Sequence, residues 1–208
     1  MKIIQTLFLL LFFCFTTLIK ASDLIPLSIE NAAAKKYGAP AKRRFEAIKA
    51  DLIKKLRNSS DMKKLNVVNR WVNYTKYKSD KSVYGVSDYW ATLYEFIGKN
   101  KGDCEDYTIA KYYILKALGI DPKRMKFTYV VYKNRRGKRI SHMVLSYLKV
   151  LKPKSKNDIL ILDNNNRLIL PASKRPDIVK VVKMINGDTG PKSKKWKKLE
   201  ANMKRKKL

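Results

Sequence analysis

Histidine and cysteine are nearly missing from this chain. Its 208 residues hold one histidine, His142, and two cysteines, Cys14 and Cys104. No HExxH, CxxC, P-loop or GxGxxG pattern occurs, which leaves zinc-hydrolase, dithiol-redox and nucleotide-binding readings without support. Acidic residues are also scarce, 17 against 47 lysines and arginines, for a formal net charge of +30. No internal repeat is visible. Only one run is long and apolar enough to approach a membrane span, "IIQTLFLLLFFCFTTLI" from Ile3 to Ile19.

That run follows Met1-Lys2 and precedes Lys20, Ala21 and Ser22. A positive start, an apolar middle and small residues after it read as a secretory signal peptide over residues 1–22, with an uncleaved membrane anchor as the alternative. Export is therefore expected. Cleavage near Ala21 or Ser22 removes Cys14 and leaves Cys104 alone. A single thiol in an exported chain forms no internal disulfide. It is a core filler, a partner for another chain or a nucleophile. The lysine excess suits a solvated surface, or attraction to acidic protein or anionic lipid, and export argues against nucleic acid.

The pattern along the chain changes once. Residues 23–66 read as helical, with Phe45, Ile48, Leu52, Ile53 and Leu56 at helical spacing. A second helix is expected over Met62 to Tyr77, and residues 78–102 read as a packed aromatic loop with a short helical piece. The central helix starts after Gly102 with Asp103 as its N-cap and stops at Gly119. Beyond it lie extended segments: "KFTYVVY" (126–132), "RISHMVLSYLKV" (139–150), "DILILDN" (158–164), "LILPAS" and "DIVKVVKMI". Helices followed by strands indicate an α+β fold, with N-terminal helices and a central helix packed on an antiparallel β-sheet. One domain is expected over 23–190. Residues 191–208 form a basic tail, with Trp196, Leu199 and Met203 at helical spacing, that is either a docking helix or a frayed end.

Chemistry concentrates at "GDCEDY". Cys104 falls in the first turn of the central helix, where the helix dipole favours a thiolate. His142, in the long strand, is the one imidazole available as its base. Asp163, ending the apolar run "ILIL", suits the group that orients the imidazole, with Asn164 as second choice. Cysteine at a helix start, histidine on a long strand and aspartate after the following strand is the order of papain-like and transglutaminase-like enzymes. Its chemistry is acyl transfer through a thioester. The Cys104 backbone N–H is one oxyanion donor, and Tyr89 or Trp90 are candidates for the second. Asp103, Glu105 and Asp106 pose a conflict, because acids beside a thiol raise its pKa. A hard cation held by these carboxylates, with Ca²⁺ favoured by all-oxygen ligands, removes that conflict.

Three blocks carry a resemblance: "YGVSDYWATLYEFIGKNKGDCEDYTIAKYYILKALGI" (84–120), "SHMVLSY" (141–147) and "ILDNNNRLILPASKRPDI" (161–178). They resemble the bacterial transglutaminase-like cysteine proteinases, the LapG family, over most of the mature chain. The resemblance implies a periplasmic, calcium-dependent cysteine endopeptidase. Such an enzyme cleaves a large repeat-rich surface adhesin near its N-terminus, at a paired-alanine site, and releases cells from biofilm. It implies inhibition by the periplasmic domain of an inner-membrane cyclic-di-GMP receptor, the nucleotide itself binding the receptor. Family roles fall on Cys104 (nucleophile), His142 (base) and Asp163 (orienting group), and the calcium carboxylates on Asp103, Glu105 and Asp106. Two departures stand out: the strongly basic charge, and Leu93 where the family pattern has proline. A transglutaminase or amidase using the same three residues is the enzymatic alternative. A basic binding module with an inert Cys104 is the other.

Overall fold

The computed structural model describes residues 24–208. The leader read at 1–22 lies outside the described residues. Among those described, no helix is long and apolar enough to cross a membrane.

Helices fill the first half. They are α1 (Leu27–Tyr37), α2 (Ala39–Ala47), α3 (Asp61–Val72), α4 (Asp80–Tyr84), α5 (Leu93–Lys99) and α6 (Cys104–Ala117). Gly38, at φ +82°, separates α1 from α2, and α2 runs on through a π-helical stretch, Ile48–Lys54. The apolar stripe read there is the buried face: Phe45, Ile48, Leu52, Ile53 and Leu56 are all buried. Helix α3 stops at Val72, short of the expected Tyr77, and residues 78–102 hold two helices where one short piece was expected. Thr92 caps the second of these, α5. Its hydroxyl accepts from Glu95 N–H, while the Glu95 carboxylate accepts from Thr92 N–H. Helix α6 ends as read, with Gly119 at φ +84° just past it.

The strands are β1 (Met125–Lys133), β2 (Arg139–Leu148), β3 (Ile159–Leu162), β4 (Leu170–Pro171) and β5 (Ile178–Asn186). They form one antiparallel sheet in the order β4-β3-β2-β1-β5. Alternation in β2 sends Met143, Leu145 and Tyr147 into the main core with the aromatic face of α6. Val144 joins Val130 and Ile161 in a smaller cluster. The Thr108 hydroxyl fixes α6 against β2, lying 2.8 Å from the Cys104 carbonyl and 3.2 Å from that of Met143.

The basic segment 191–208 is docked. Helix α7 (Lys194–Lys204) buries Trp196 and Leu199. The Trp196 ring stacks on Tyr113 and meets the edges of Phe127, Tyr112 and Trp90. Gly190 makes this fit possible. It sits at φ +63°, and a Cβ there would come within 2.2 Å of the indole. Beyond α7, the Thr92 hydroxyl donates to the Lys207 carbonyl at 2.6 Å, tying the chain end to α5. Apolar positions at helical spacing thus override the local charge, whose lysines stay at the surface.

Candidate active site

Helix α6 begins at Cys104 because the chain before it is held straight and tight. Lys101–Gly102 pairs in parallel with Lys76–Tyr77, and Asp103 is extended. A Cβ on Gly102 would meet Asp106 and Phe96 within 2.8 Å, so only glycine fits there. The pairing also brings Tyr77 over Tyr107, with ring centroids 6.5 Å apart.

The Cys104 thiol is part-buried and donates to Glu105 Oε2 at 2.8 Å. Burial raises its pKa, and the charge and hydrogen bond of Glu105 raise it further. The Met143 backbone, placed to hydrogen-bond the sulfur, works the other way. The sulfur therefore lies beside the residue that follows His142. None of the hydrogen bonds among the described residues joins thiol to imidazole; the adjacent carboxylate accepts the thiol's hydrogen bond instead.

His142 is buried in β2, and its Nε2 lies 2.8 Å from Asp163 Oδ1. Asp163 is buried where β3 ends. Its Oδ1 also accepts from Asn165 N–H at 2.9 Å, and its Oδ2 accepts from Arg175 Nη2 at 2.6 Å. Burial opposes the charge on Asp163. The bonds from His142, Arg175 and Asn165 outweigh it and hold the carboxyl well below the usual range. Asp163 thus stays ionised, and with Nε2 engaged, Nδ1 is the nitrogen left to act on a proton. Asn164 hydrogen-bonds Asn165, not the ring. Arg175 was invisible as a site residue in the sequence. It is buried, and it clamps Asp163 to Asp177.

Lys111, fully buried on α6, is a second unexpected charge near Asp163. Burial lowers its pKa to about 7, with Asp163 opposing. The unfolded chain therefore binds more protons than the folded one between about pH 7 and pH 10, and stability rises with pH across that window. Lys111→Met is expected to stabilise the protein by on the order of 1–4 kcal/mol at pH 6–7. The gain should shrink towards pH 10, as thermal melts of both proteins across that range would show.

Three carboxylates gather beside the thiol. Asp80, Asp103 and Asp106 each present an oxygen within 4.8 Å of the others. Asp103 and Asp106 share a side of α6 by their three-residue spacing. Glu105, grouped with them on the sequence, accepts the thiol's hydrogen bond and also stays close enough to hydrogen-bond the Asp103 carboxyl. Asp80 takes the third place. It comes from α4, and no spacing in the sequence links it to α6. Asp80 Oδ2 accepts from Tyr89 N–H at 2.6 Å and Asp106 Oδ1 from Ala91 N–H at 2.8 Å. Asp80 Oδ1 and Asp103 Oδ1 are buried with no partner. Burial, then the charges of Glu105, Asp106 and Asp80, push Asp103 up to about 9; burial also raises Asp80 and, strongly, Asp106. Orphaned hard oxygens in a ring of mutually repelling acids fit a hard divalent cation.

Of the two candidate oxyanion donors, the Tyr89 hydroxyl donates to Glu95, whereas the buried Trp90 indole N–H has no partner. Tyr77 and Tyr129 are the tyrosines whose pKa values feel the Cys104 sulfur. Burial raises both to about 12, with smaller contributions from Cys104 and the nearby acids.

A lone cysteine opening a helix, next to a strand that carries an Asp-held histidine, defines a thiol enzyme of acyl transfer on a transglutaminase-like fold. Comparison with known proteins agrees. Residues 36–204 match the model of the bacterial transglutaminase-like cysteine proteinases, and the chain belongs to that family of cysteine proteases. It is similar to LapG of Legionella pneumophila, at 33% identity and a TM-score of 0.69, over 85% of this chain and 96% of that one. The calcium-bound form of that LapG matches at 32% identity and a TM-score of 0.65, over 85% and 97%. The EGTA-treated form matches at 31% and 0.67, over 85% and 96%. No curated protein matches the chain.

Proposed function

We propose that this chain is an exported, calcium-dependent cysteine endopeptidase of the periplasm. Its substrate is a large repeat-rich surface adhesin, cut near its N-terminus at a paired-alanine site so that cells leave the biofilm. An inner-membrane cyclic-di-GMP receptor holds it inactive through its periplasmic domain. The observation that carries this reading is the buried His142–Asp163–Arg175 chain, 2.8 Å and 2.6 Å per link, with the Cys104 sulfur against the backbone of Met143, the residue after His142. Similarity to LapG, including its calcium-bound form, supports the calcium and cysteine-protease parts of the reading.

Cys104 is the nucleophile, and its thiolate attacks the scissile carbonyl. His142 Nδ1 takes the thiol proton and returns it to the leaving amine. Asp163, ionised and gripped by Arg175, fixes the ring and stabilises the imidazolium. The Cys104 N–H, at the start of α6, is the oxyanion donor named from the chain. Water then hydrolyses the thioester, with His142 as base. Asp80, Asp103 and Asp106, with Glu105 against Asp103, are the residues that would hold calcium. A bound ion would supply positive charge that offsets the acids around Cys104.

An adhesin fragment containing paired alanines, incubated with the purified protein with and without chelator, tests the reading. Cleavage in calcium and none in chelator is the expected result. Amine incorporation without cleavage would assign the chain to transglutaminase or amidase chemistry instead.

A further inference from the structure

A groove of about 360 Å³ opens beside the loop that follows Asp163. Its walls are Asn66, Arg70, Asn73 and Tyr74 from the end of α3, and Arg167 and Leu168 from the loop. Two side-chain amides tie these walls together. Asn73 Nδ2 donates to the Asp163 carbonyl at 2.8 Å, and Asn69 Nδ2 donates to the Arg167 carbonyl at 3.3 Å. The groove is therefore built against the backbone of the residue that holds His142.

Its chemistry is unspent. The arginines that form ion pairs among the described residues are Arg124 and Arg175; Arg70 and Arg167 form none. Helix α3 carries one acid, Asp61, which is bonded to Arg124 and Tyr147. The loop's one acid, Asp163, is taken by His142 and Arg175. The Oδ1 atoms of Asn69 and Asn73 are buried without a donor, although Asn69 is almost wholly inaccessible. Tyr74 and Leu168, both on its walls, are 79% and 65% exposed. Guanidinium donors and two bare apolar side chains are the complement of an acidic polypeptide. The carboxylate meets the arginines, and an apolar side chain covers Tyr74 and Leu168.

We infer that this groove is a substrate subsite that selects an Asp or Glu side chain in the stretch flanking the scissile bond. The inference rests on the endopeptidase reading and adds a specificity to it. Arg70 and Arg167 are specificity residues and take no part in the chemistry.

The test uses the Cys104→Ala protein, so that binding is read without cleavage. Labelled paired-alanine peptides carry a single Asp or a single Lys, scanned through the flanking positions. Fluorescence anisotropy at physiological salt gives the affinities. At one position the Asp peptide is expected to bind about tenfold tighter than the Lys peptide, equivalent to ~1.4 kcal/mol. Arg70→Glu with Arg167→Glu should reverse that preference. Both arginines are exposed, so the fold should tolerate the change. The same reversal at Lys197 and Lys198, exposed on α7, should leave the preference intact and so exclude general attraction to a basic protein. Equal binding of Asp and Lys peptides at every position overturns the inference. So does a preference that survives the arginine reversals or vanishes equally with the lysine ones. Wild-type cleavage of the same peptides reports separately on the protease reading. Acid-selective binding with no cleavage would count against the paired-alanine substrate and for the groove.

Discussion

Cys104→Ala is expected to lower kcat/KM for peptide cleavage by at least about 10⁴, with the melting temperature within a few degrees of wild type. The large loss follows from covalent chemistry. Among the described residues Cys104 is the one cysteine, and without its sulfur no thioester forms. The small stability effect follows from its position. The side chain is part-buried at the start of α6, where removing one sulfur atom exposes little core. His142→Ala is expected to lose a similar factor, since the chain has no second imidazole to accept the thiol proton. Asp163→Asn should cost less than either, because Arg175 and Asn165 still approach that side chain, but it removes the charge that stabilises the imidazolium. Steady-state cleavage of one peptide by the three variants gives the comparison. Retention of a tenth of wild-type activity by Cys104→Ala would remove the sulfur from the reaction.

Stripping divalent cations is expected to cut kcat/KM by at least about 100-fold and to lower the melting temperature. Without a cation, burial and mutual repulsion raise the pKa values of the Asp80, Asp103 and Asp106 carboxyls, Asp106 strongly and Asp103 to about 9. The folded state then binds more protons than the unfolded one from about pH 4 to pH 9. Stability must therefore fall as pH rises through that window. A bound calcium ion reverses the logic, since ionised carboxylates become its ligands. Calcium at 100 times its dissociation constant contributes about 2.7 kcal/mol. Its stabilising effect should be larger at pH 8 than at pH 5, and Asp80→Ala should abolish it. Melts at the two pH values, with calcium and with chelator, check both points. An equal calcium effect at both pH values would place the ion elsewhere.

Sequence and structure agree where a short stretch of chain decides the outcome. The Gly102–Gly119 helix is bounded by its own cap and stop residues, and the strands of 125–186 declare themselves by apolar alternation. The order of Cys104, His142 and Asp163 was legible because the chain offers one imidazole and, among the described residues, one thiol. What was hidden depends on distant segments meeting. Asp80 joins the acids of α6 through the packing of α4, in a stretch where aromatic residues and turn formers mask any period. Arg175 reaches Asp163 from a loop that reads as mere connection. Glu105, grouped with its neighbours by proximity in sequence, also accepts from the thiol, a contact the spacing does not reveal. The lysines of 191–208 obscured a buried tryptophan that locks α7 into the core.

The most direct measurement is the mass of the covalent intermediate. An activated ester of an alanine-ended peptide, mixed with the calcium-loaded protein and quenched in acid during the first turnover, should leave one acyl group. Peptide mapping should find it on the fragment that contains Cys104, and the Cys104→Ala protein should carry none. An acyl group mapped to any other residue, or steady turnover with no acylated protein at the earliest times, would contradict catalysis through this thiol.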